Sequence, residues 1–506
     1  MIPLMTQTTR SVPADHRSSV LLSGSLRWLC RLMLLGSACG VDAGQPVPMP
    51  TPSPAQTHSA LTGSLFDLAA IRDASTADCH FDNEHTVLKN GVLMRVWNVS
   101  YLSWEWRKGE GGFSDGLQPI RIRAFAARPV LGPTRLPAVV LAHGLGGLAD
   151  ENSALSSAAR LGLFVLAYTG PGGGNRPDNR SEGKPASDGS GYRMFDTLGD
   201  VRGSWFWAHT TAALRGLTCV SARAEVDGTK LGMTGFSAGG VATLLASGAD
   251  SRIKAAVPLS GVLAWEEAVR SGDAWQHGLL RQAGLSTASA EWTTLIDRLI
   301  SSPRVLGSTS AALLLVNGSS DEFFPLTAHL TTLRGLPAGT NVRTSLVGNF
   351  DHGCYKVSGG ERASTIEARA TVRAEGGQRA FFRHHLLADP AYPAIPRPPT
   401  VAAVPIGAAT QVIALVDCPA GLEIDEVRLW WSTDNALLFG SVTLSSSGSN
   451  RYEKLVPLPL SSGSAYYVDV QYRTRDLLAP QRFAISSEPV LAAGLLPRIR
   501  SMTTCL

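Results

Sequence analysis

The feature that most constrains the fold of this chain is a G-x-S-x-G pattern at residues 235–239, centred on Ser237. Residues 229–234 before it have the short apolar character of a buried strand, and residues 240–247 after it are helix formers. A strand that turns this sharply into a helix holds its central residue in a strained backbone conformation. Side chains at the two outer glycines would collide with the neighbouring strand and helix. The pattern therefore predicts a strand–turn–helix unit that presents the Ser237 hydroxyl at the carboxyl end of a strand.

Three further segments place chemically competent groups directly after predicted strands. One buried-strand run ends in the glycine-rich stretch His-Gly-Leu-Gly-Gly at residues 143–147, and two others run ahead of Asp321 and His352. The carboxyl ends of parallel strands meet at one edge of a sheet, where active sites of such sheets lie. A serine hydroxyl is a poor nucleophile and needs a base that takes its proton and a carboxylate that orients the base. We therefore expect Ser237, His352 and Asp321 to meet as nucleophile, base and orienting acid.

From about residue 87 to residue 390 the chain resembles α/β hydrolases of the acetyl xylan esterase, dienelactone hydrolase and prolyl-oligopeptidase-like group. The matching features are the glycine-rich stretches 143–147 and 170–174, the elbow at 235–239, the segment 253–261 and the chain order Ser237, Asp321, His352. The resemblance implies a mostly parallel sheet flanked by helices, a Ser–His–Asp triad, and the backbone amides of Leu145 and Ala238 as oxyanion hole. It also implies that no metal or organic cofactor is needed.

The resemblance is specific for fold and triad and unspecific for substrate. Esterases of this group often carry Arg-Gly-x-Gly in the loop that borders the acyl pocket, whereas this chain has Thr-Gly-Pro-Gly-Gly-Gly at residues 169–174. Gly172 and Gly173 in that loop, and Phe236 beside the nucleophile, are candidates for lining the substrate pocket.

Four neighbouring side chains are weaker candidates for the same chemistry. Glu322 follows the predicted orienting acid directly, and Asp351 adjoins His352. Neighbouring side chains in extended chain point to opposite faces, so Asp351 is poorly placed to orient that ring. His143 precedes a glycine of the oxyanion stretch and is expected to be structural. Cys354 has no other mark of a nucleophile and is expected to be packed or paired.

The first 60 residues read as a targeting segment and a spacer. Residues 1–38 combine four arginines and one aspartate with a short apolar run, which is typical of a secretory signal. Cleavage after Ala38 or Ala43 would release a soluble protein, while the stretch ending at Cys39 resembles a lipoprotein box with Cys39 as the lipidated residue. The proline-rich segment 39–60 predicts an extended tether. Both outcomes, free export and a lipid anchor, remain open.

Charge and hydropathy argue against nucleic-acid binding and against a membrane-spanning helix. Without residues 1–38 the formal net charge falls from +4 to +1, and no basic block remains that would bind nucleic acid. No run of eighteen apolar residues occurs, so a membrane-spanning helix is not expected.

The cysteines fit an exported protein. Among the seven, Cys79 can pair with Cys219 in the hydrolase domain, and Cys418 with Cys505 near the end of the chain. Free buried cysteines are an equal alternative, because connectivity cannot be read from spacing. No pair has metal-ligand spacing.

The pattern of predicted elements divides the chain after residue 60 into two domains. Residues 61–395 predict an α/β-hydrolase catalytic domain with an N-terminal β layer. That layer contains a hairpin with an Asn-Gly turn within residues 86–97 and an alternating edge strand at 119–126. Residues 401–506 follow a run of prolines and carry short strands with Ser/Gly turns, which predicts a β-sandwich accessory domain.

Two helical stretches complete the prediction for the catalytic domain. A helix is expected over residues 196–217. An insertion of about fifty residues between Gly261 and Ala311 contains Trp265, Trp275 and Trp292 and predicts either a cap over the site or an ordinary crossover. In the sandwich, Trp430 or Trp431 is expected to pack in the core.

The function that follows from these residues is an exported serine hydrolase that cleaves carboxylic esters with short acyl groups, acetyl among them. Its substrate would be a small-molecule or polysaccharide ester, and only a lipid anchor would bring it to a membrane. A serine peptidase of the prolyl-oligopeptidase type is the first alternative, although no propeller repeats precede the domain. A non-catalytic binding protein on a hydrolase scaffold is the second. On this division of the chain, removing residues 401–506 is expected to spare activity on small soluble esters.

Overall fold

The computed structural model of the chain describes residues 65–109, 115–188, 191–272, 274–301, 305–353, 361–457, 464–475 and 480–499. The predicted signal segment, the tether, Cys39, Cys354 and Cys505 lie outside these ranges. Within them, every helix is too short or too polar to cross a membrane.

The described strands fall into three sheets. They are β1 (His80–Lys89), β2 (Val92–Arg107), β3 (Gly116–Pro129), β4 (Leu136–Ala142), β5 (Phe164–Tyr168), β6 (Ser187–Asp188), β7 (Gly191–Tyr192), β8 (Val226–Phe236), β9 (Ile253–Leu259), β10 (Ala312–Gly318), β11 (Val342–Val347), β12 (Thr400–Ile406), β13 (Ala409–Leu415), β14 (Leu422–Ser432), β15 (Gly440–Thr443), β16 (Ser445–Gly448), β17 (Arg451–Val456), β18 (Ala465–Thr474), β19 (Arg482–Ser486) and β20 (Val490–Leu491).

The described helices flank the large sheet or lie in the insertion. They are α1 (Leu68–Arg72), α2 (Glu151–Leu161), α3 (Trp205–Ser221), α4 (Ala238–Ala249), α5 (Trp265–Ala268), α6 (Trp275–Gln282), α7 (Ala290–Leu295), α8 (Leu326–Arg334), α9 (Ala363–Thr371) and α10 (Gly377–Phe382). Short 3₁₀ turns lie at Ala74–Thr76, Arg193–Phe195 and Val201–Gly203, and π turns at Ile296–Ile300, Val372–Gly376 and Arg383–Leu387.

One long sheet runs through the molecule in the order β1-β2-β3-β5-β4-β8-β9-β10-β11-β19-β18-β14-β15. Its six central strands, from β5 to β11, are parallel, and antiparallel strands extend it at both edges. The central strands are almost wholly buried, as strands covered by helices on both faces must be. This is the mostly parallel α/β-hydrolase sheet that the sequence predicts.

The N-terminal layer confirms one prediction and corrects another. The hairpin of β1 and β2 turns at Asn90 and Gly91, both in left-handed backbone, as an Asn-Gly turn requires. The prediction of an edge strand at residues 119–126 is wrong, because β3 lies inside the sheet between β2 and β5. The alternation arises because Ile120 and Ile122 are buried while Arg121 between them is only partly covered. Alternation with a period of two residues therefore indicates that one face of a strand is only partly covered, and it does not place the strand at the edge of a sheet.

The helix predicted over residues 196–217 begins later than expected. Helix α3 starts at Trp205, where the Ser204 hydroxyl accepts the N–H of Phe206 at 3.3 Å. The residues before it form turns that include a 3₁₀ segment. Asp200 caps this segment by accepting the N–H of Arg202, so the chain begins a separate turn ahead of α3. Near the end of the helix, Cys219 forms a disulfide with Cys79, one of the two pairings that the sequence left open.

The C-terminal strands form a β-sandwich, and one of its two sheets is the continuation of the large sheet. The separate sheet has the order β12-β13-β17-β16. The other contains β14, β15, β18 and β19, and joins the parallel strands where Ser486 of β19 pairs with Thr344 of β11. Trp430 is buried as expected, but against the hydrolase part of the chain and not between the two sheets. The large sheet therefore continues across the predicted boundary near residue 400.

Candidate active site

The strand–turn–helix unit around Ser237 has the geometry that the sequence predicts. Ser237 sits between β8 and α4 with φ 58° and ψ −120°. A Cβ on Gly235 would lie 2.5 Å from the carbonyl oxygen of Gly239, and one on Gly239 would lie 2.3 Å from the carbonyl oxygen of Ala142. Only glycine fits at either position, so the sharp turn and its two glycines depend on each other.

Ser237, His352 and Asp321 lie in one line of hydrogen bonds. The Nε2 atom of His352 is 2.8 Å from the Ser237 hydroxyl oxygen, and its Nδ1 atom is 3.0 Å and 3.1 Å from the two carboxylate oxygens of Asp321. The backbone N–H groups of Phe323 and Phe324 each donate to Asp321 at 2.9 Å. These donors fix the carboxylate, the carboxylate fixes the ring, and the ring faces the hydroxyl.

All three side chains are shielded from solvent. The exposed fraction is 2% for Ser237, 2% for Asp321 and 6% for His352. Burial opposes the charged imidazolium, but the charge of Asp321 and its hydrogen bond outweigh burial, so the pKa of His352 is raised. Asp321, Glu322 and Asp351 all contribute to this increase. A ring that gains proton affinity in this way suits a general base.

Glu322 is not the orienting acid but supports the same histidine. Its carboxylate accepts the backbone N–H of His352 at 2.9 Å. Burial, and then the charge of Asp321, raise the pKa of Glu322 to about 7. The carboxylate of Asp351 accepts the N–H of Gly353 at 2.9 Å. Both placements agree with the ranking of carboxylates from the sequence.

The glycine-rich stretch 143–147 packs directly against the nucleophile. A Cβ on Gly144 would lie 3.1 Å from the Ser237 Cβ, and the N–H of Gly147 closes a turn by donating to the Gly144 carbonyl at 3.0 Å. Leu145 lies within this turn and is buried. Ala238 is the first residue of α4, where helix amides point outward and the macrodipole is positive. One predicted oxyanion residue thus follows Ser237 directly, and the other lies in the turn that packs against it.

His143 ties the oxyanion turn to the next loop. Its Nδ1 atom is 2.6 Å from the Gly144 carbonyl, and its Nε2 atom accepts the N–H of Gly170 at 2.7 Å. Burial lowers the pKa of His143 to about 4. The ring is therefore neutral, with Nδ1–H donating and Nε2 accepting, which is the structural role that the sequence predicts for it.

The three predicted pocket residues have different surroundings. The Phe236 ring centroid lies 5.1 Å from that of His352, so this side chain borders the triad. Gly172 has φ +67° and packs so closely on Pro185 that a Cβ would lie 2.2 Å from its nitrogen. A Cβ on Gly173 would lie 3.0 Å from the methyl group of Thr169. The two glycines shape the loop by close packing.

An aromatic stack that the sequence analysis missed covers the histidine. Phe323 stacks on His352 with ring centroids 4.0 Å apart, and Trp275 stacks on Phe323 at 4.2 Å. Gln276 next to this tryptophan donates its amide to the Phe323 carbonyl at 2.8 Å. Two phenylalanines directly after Asp321 were a visible clue, but nothing in the sequence indicated that the insertion would reach them. The insertion therefore covers the catalytic loop, as the cap alternative predicts.

His277 in the insertion is bound to the main chain of the insertion itself. The His277 ring bonds to the Val269 carbonyl at 3.0 Å. Among the residues that the structure describes, no group of three or more His, Cys, Asp or Glu side chains is arranged to hold a metal ion.

A family model supports the resemblance. Residues 113–269 match the model of the acetyl xylan esterase family, AXE1. The matched segment includes Leu145, Ser237 and Ala238 and ends before Asp321 and His352. No curated protein matches the sequence.

Several solved structures of low sequence identity are similar to this chain. The acetyl xylan esterase from Paenibacillus sp. R4 is 18% identical, with 62% of this chain and 96% of that chain covered and a TM-score of 0.46. The acetyl xylan esterase 1 from Thermoanaerobacterium sp. JW/SL YS485 is 14% identical, with 60% and 93% covered and a TM-score of 0.43. The acylaminoacyl peptidase of Pyrococcus horikoshii is 15% identical, with 61% and 49% covered and a TM-score of 0.40. With identities below 20% and TM-scores below 0.5, these structures give no information about the activity of this chain. The strand order gives the chain the α/β-hydrolase fold, and the match of residues 113–269 to the acetyl xylan esterase family supports a carboxylic ester hydrolase.

Proposed function

We propose that this protein is an exported serine hydrolase that cleaves carboxylic esters with short acyl groups, acetyl esters of small molecules or polysaccharides first among them. The observation that carries the proposal is the unbroken line of hydrogen bonds from Ser237 through His352 to Asp321. A buried serine, histidine and aspartate in this order have one well-understood use, which is acyl transfer. The esterase family match of residues 113–269 supports the ester bond as the target.

In the first half of the reaction, Ser237 attacks the carbonyl carbon of the ester. Its proton passes to Nε2 of His352 as the bond from Oγ to carbon forms, and Asp321 stabilises the imidazolium through Nδ1–H. Collapse of the tetrahedral intermediate breaks the bond from carbon to the alcohol oxygen. His352 returns its proton to that oxygen, so the alcohol leaves and an acyl-serine remains.

In the second half, water replaces the alcohol. His352 takes a proton from water as the water oxygen attacks the acyl carbon. The collapse of this second intermediate breaks the bond from carbon to Oγ and releases the acid, and His352 returns its proton to Ser237. In both halves the amides of Leu145 and Ala238 bind the negatively charged oxygen. Each such donor contributes on the order of 3 kcal/mol to transition-state stabilisation.

The preference for short acyl groups rests on how enclosed the nucleophile is. Ser237 is only 2% exposed, and the rings of Phe236 and Phe323 lie against the catalytic histidine. Leu145 on the other side of the elbow is also buried. A small acyl group fits such a space without moving these side chains, whereas a long one must displace them.

Export is proposed from the disulfide and the N-terminal sequence together. Cys79 and Cys219 form a disulfide, and such bonds persist in oxidising compartments. Residues 1–38 have the pattern of a secretory signal. A lipid on Cys39 remains the alternative to free release.

The test is hydrolysis of p-nitrophenyl acetate, butyrate and octanoate by the full chain, beside Xaa-Pro and Ala-Ala anilides. We expect turnover that falls with acyl length, is lost in Ser237→Ala and His352→Ala, and is kept in His277→Ala, a matched histidine change in the insertion. Turnover of anilides with little ester preference would favour a peptidase. Full ester turnover by a folded Ser237→Ala protein would overturn the triad.

A further inference from the structure

The loop that carries His352 is held by the C-terminal β-sandwich, and this contact lies outside the triad and the oxyanion hole. Strand β11 ends at Val347, and Asn349 is the second residue beyond it, three residues before His352. Asn349 has φ 56°, a left-handed backbone conformation that turns the chain toward the triad. Asn349 is 8% exposed, and its side chain bonds to the sandwich.

Asn349 makes a two-way pair with the backbone of Phe439, which precedes β15 in the sandwich. The Nδ2 atom donates to the Phe439 carbonyl at 2.9 Å, and the Phe439 N–H donates to Oδ1 at 2.8 Å. Because one bond needs a donor and the other an acceptor, the pair also fixes the orientation of the amide. Nδ2 donates in addition to Glu361 at 3.1 Å. The backbone N–H of Asn349 donates to the Ser319 hydroxyl at 2.8 Å, which ties it to the loop that holds Asp321.

The residue before Asn349 is packed against the same part of the sandwich. Gly348 lies so close to the ring of Trp430 that a Cβ would come within 2.5 Å of it. The guanidinium of Arg369 covers the ring at 4.5 Å from its centroid. Trp430 is thus held between the hydrolase helix α9 and the start of the histidine loop.

Apolar side chains from both parts of the chain close this contact. Leu326 and Leu346 of the hydrolase part share one buried cluster with sandwich residues, which are Trp430, Ala436, Phe439, Ala465, Tyr467 and Leu495. The histidine loop is therefore attached to the sandwich by hydrogen bonds at Asn349 and by packing on either side of it.

We propose that Asn349 is a positioning residue through which the C-terminal β-sandwich holds His352 in line with Ser237 and Asp321. The proposal rests on the proposed function for its kinetic consequences. It goes beyond that function because it makes the sandwich a working part of the active site. It also replaces the expectation that residues 401–506 are dispensable for hydrolysis of small esters.

The physical reason is the small tolerance of the triad. His352 must keep one nitrogen at 2.8 Å from Ser237 and the other near 3.0 Å from Asp321. A displacement of about 1 Å in such an arrangement costs on the order of a hundredfold in rate. Without the pair to Phe439, the turn at residues 348–353 loses its anchor on one side.

The test compares three variants of the full chain. Asn349→Gly removes the side-chain pair and tolerates the left-handed backbone. Asn349→Asp keeps an acceptor for the Phe439 N–H and loses the donor to its carbonyl. Asn450→Gly is the matched control, because Asn450 has φ 61° and lies exposed at the turn between β16 and β17, in the separate sheet.

Two readouts are measured on proteins whose melting temperature shows them to be folded. The first is kcat and KM for p-nitrophenyl acetate, where we expect kcat of Asn349→Gly to fall ten- to about a hundredfold with little change in KM. The second is the NMR titration of the His352 imidazole, assigned with His352→Ala. Asp321, Glu322 and Asp351 raise the pKa of this ring, so a displaced ring should titrate lower. A merely structural role would lower the melting temperature and leave the titration unchanged.

The outcomes separate the proposal from the proposed function. A lowered kcat and a lowered His352 pKa in Asn349→Gly, a lowered kcat in Asn349→Asp and no change in Asn450→Gly support the positioning role. A folded Asn349→Gly protein with an unchanged kcat and an unchanged His352 pKa overturns it. If that variant does not fold, an unchanged kcat and an unchanged His352 pKa in Asn349→Asp overturn it. If the unmodified protein hydrolyses no ester, the proposed function fails, and the titration alone still decides whether Asn349 positions the ring.

Discussion

The backbone N–H of His352 donates to the carboxylate of Glu322 at 2.9 Å, so the residue next to Asp321 supports the main chain of His352. Asp321 therefore holds the ring of His352 and Glu322 holds its backbone. Two acidic side chains of one loop therefore accept hydrogen bonds from a single residue of another loop. The arrangement places Glu322, Asp321 and Asp351 close together in a buried space.

The first prediction concerns stability against pH. Burial and the charge of Asp321 raise the pKa of Glu322 to about 7 in the folded protein, against a usual value of 4.5. A carboxyl group with a raised folded pKa stabilises the protein fully below about pH 4.5, and this contribution is lost as the pH rises through about 7. We expect the free energy of unfolding to fall over this range and to fall less steeply in Glu322→Gln.

Urea denaturation at several pH values between about 4.5 and 8 measures how steeply the free energy of unfolding falls with pH in the unmodified protein and in Glu322→Gln. Glu488→Gln is the control, because Glu488 is paired with Arg334 at the surface with both side chains more than half exposed. The same slope in Glu322→Gln and in the unmodified protein would contradict the raised pKa of Glu322.

The second prediction concerns the pH dependence of hydrolysis. Despite burial, Asp321 raises the pKa of His352, and the base must be neutral to accept the serine proton. We expect kcat/KM for p-nitrophenyl acetate to rise with pH through a midpoint above about 6.5. Asp321→Asn should lower kcat by about 10⁴-fold, as loss of the orienting carboxylate does in other triads.

Glu322→Gln distinguishes the two neighbouring acids in the same assay. It removes a charge but keeps an oxygen that can accept the His352 N–H, so its loss of kcat should be far smaller than that of Asp321→Asn. Equal losses in the two variants would mean that the assignment of Asp321 as the orienting acid is wrong.

The third prediction concerns the glycines of the nucleophile turn. In Gly239→Ala the new methyl group would lie 2.3 Å from the Ala142 carbonyl oxygen, which is backbone and cannot move aside. We expect loss of soluble folded protein or a large drop in melting temperature. Gly278→Ala is the matched control, since it lies in α6 and its Cβ would meet nothing within 4 Å. It should stabilise the protein by about 0.5–1 kcal/mol, as alanine does in a helix.

The fourth prediction concerns the attachment of the sandwich. Arg373 forms an ion pair with Asp469 of β18, and both side chains are buried. Its Nε atom also donates to the Leu346 carbonyl at 2.9 Å in β11. Asp469→Asn leaves a buried charge without its partner, which costs about 3–5 kcal/mol. Urea denaturation measures the loss, and Glu488→Gln, which breaks a surface pair, should cost no more than about 1 kcal/mol.

The local parts of the site were predictable from the sequence because short-range rules govern them. Ser237 lies in a turn whose glycines are dictated by contacts between adjacent elements, and Asp321 and His352 follow strands that are continuous apolar runs. Errors occurred where neighbours in space decide the outcome. The alternation in β3 does not reveal that β5 pairs with its second side, and the start of α3 depends on which residue caps the helix.

The sequence by itself determined the turn around Ser237, the positions of Asp321 and His352 after apolar strands, and the presence of a C-terminal set of strands, since each depends on residues within a few positions of one another. Only the tertiary structure decided that these strands extend the catalytic sheet and that Asn349 meets Phe439, 90 residues later in the chain. The same holds for the stack of Trp275, Phe323 and His352. Such contacts depend on the packing of whole layers against each other, and no local propensity encodes which surface of one layer will cover which loop of another.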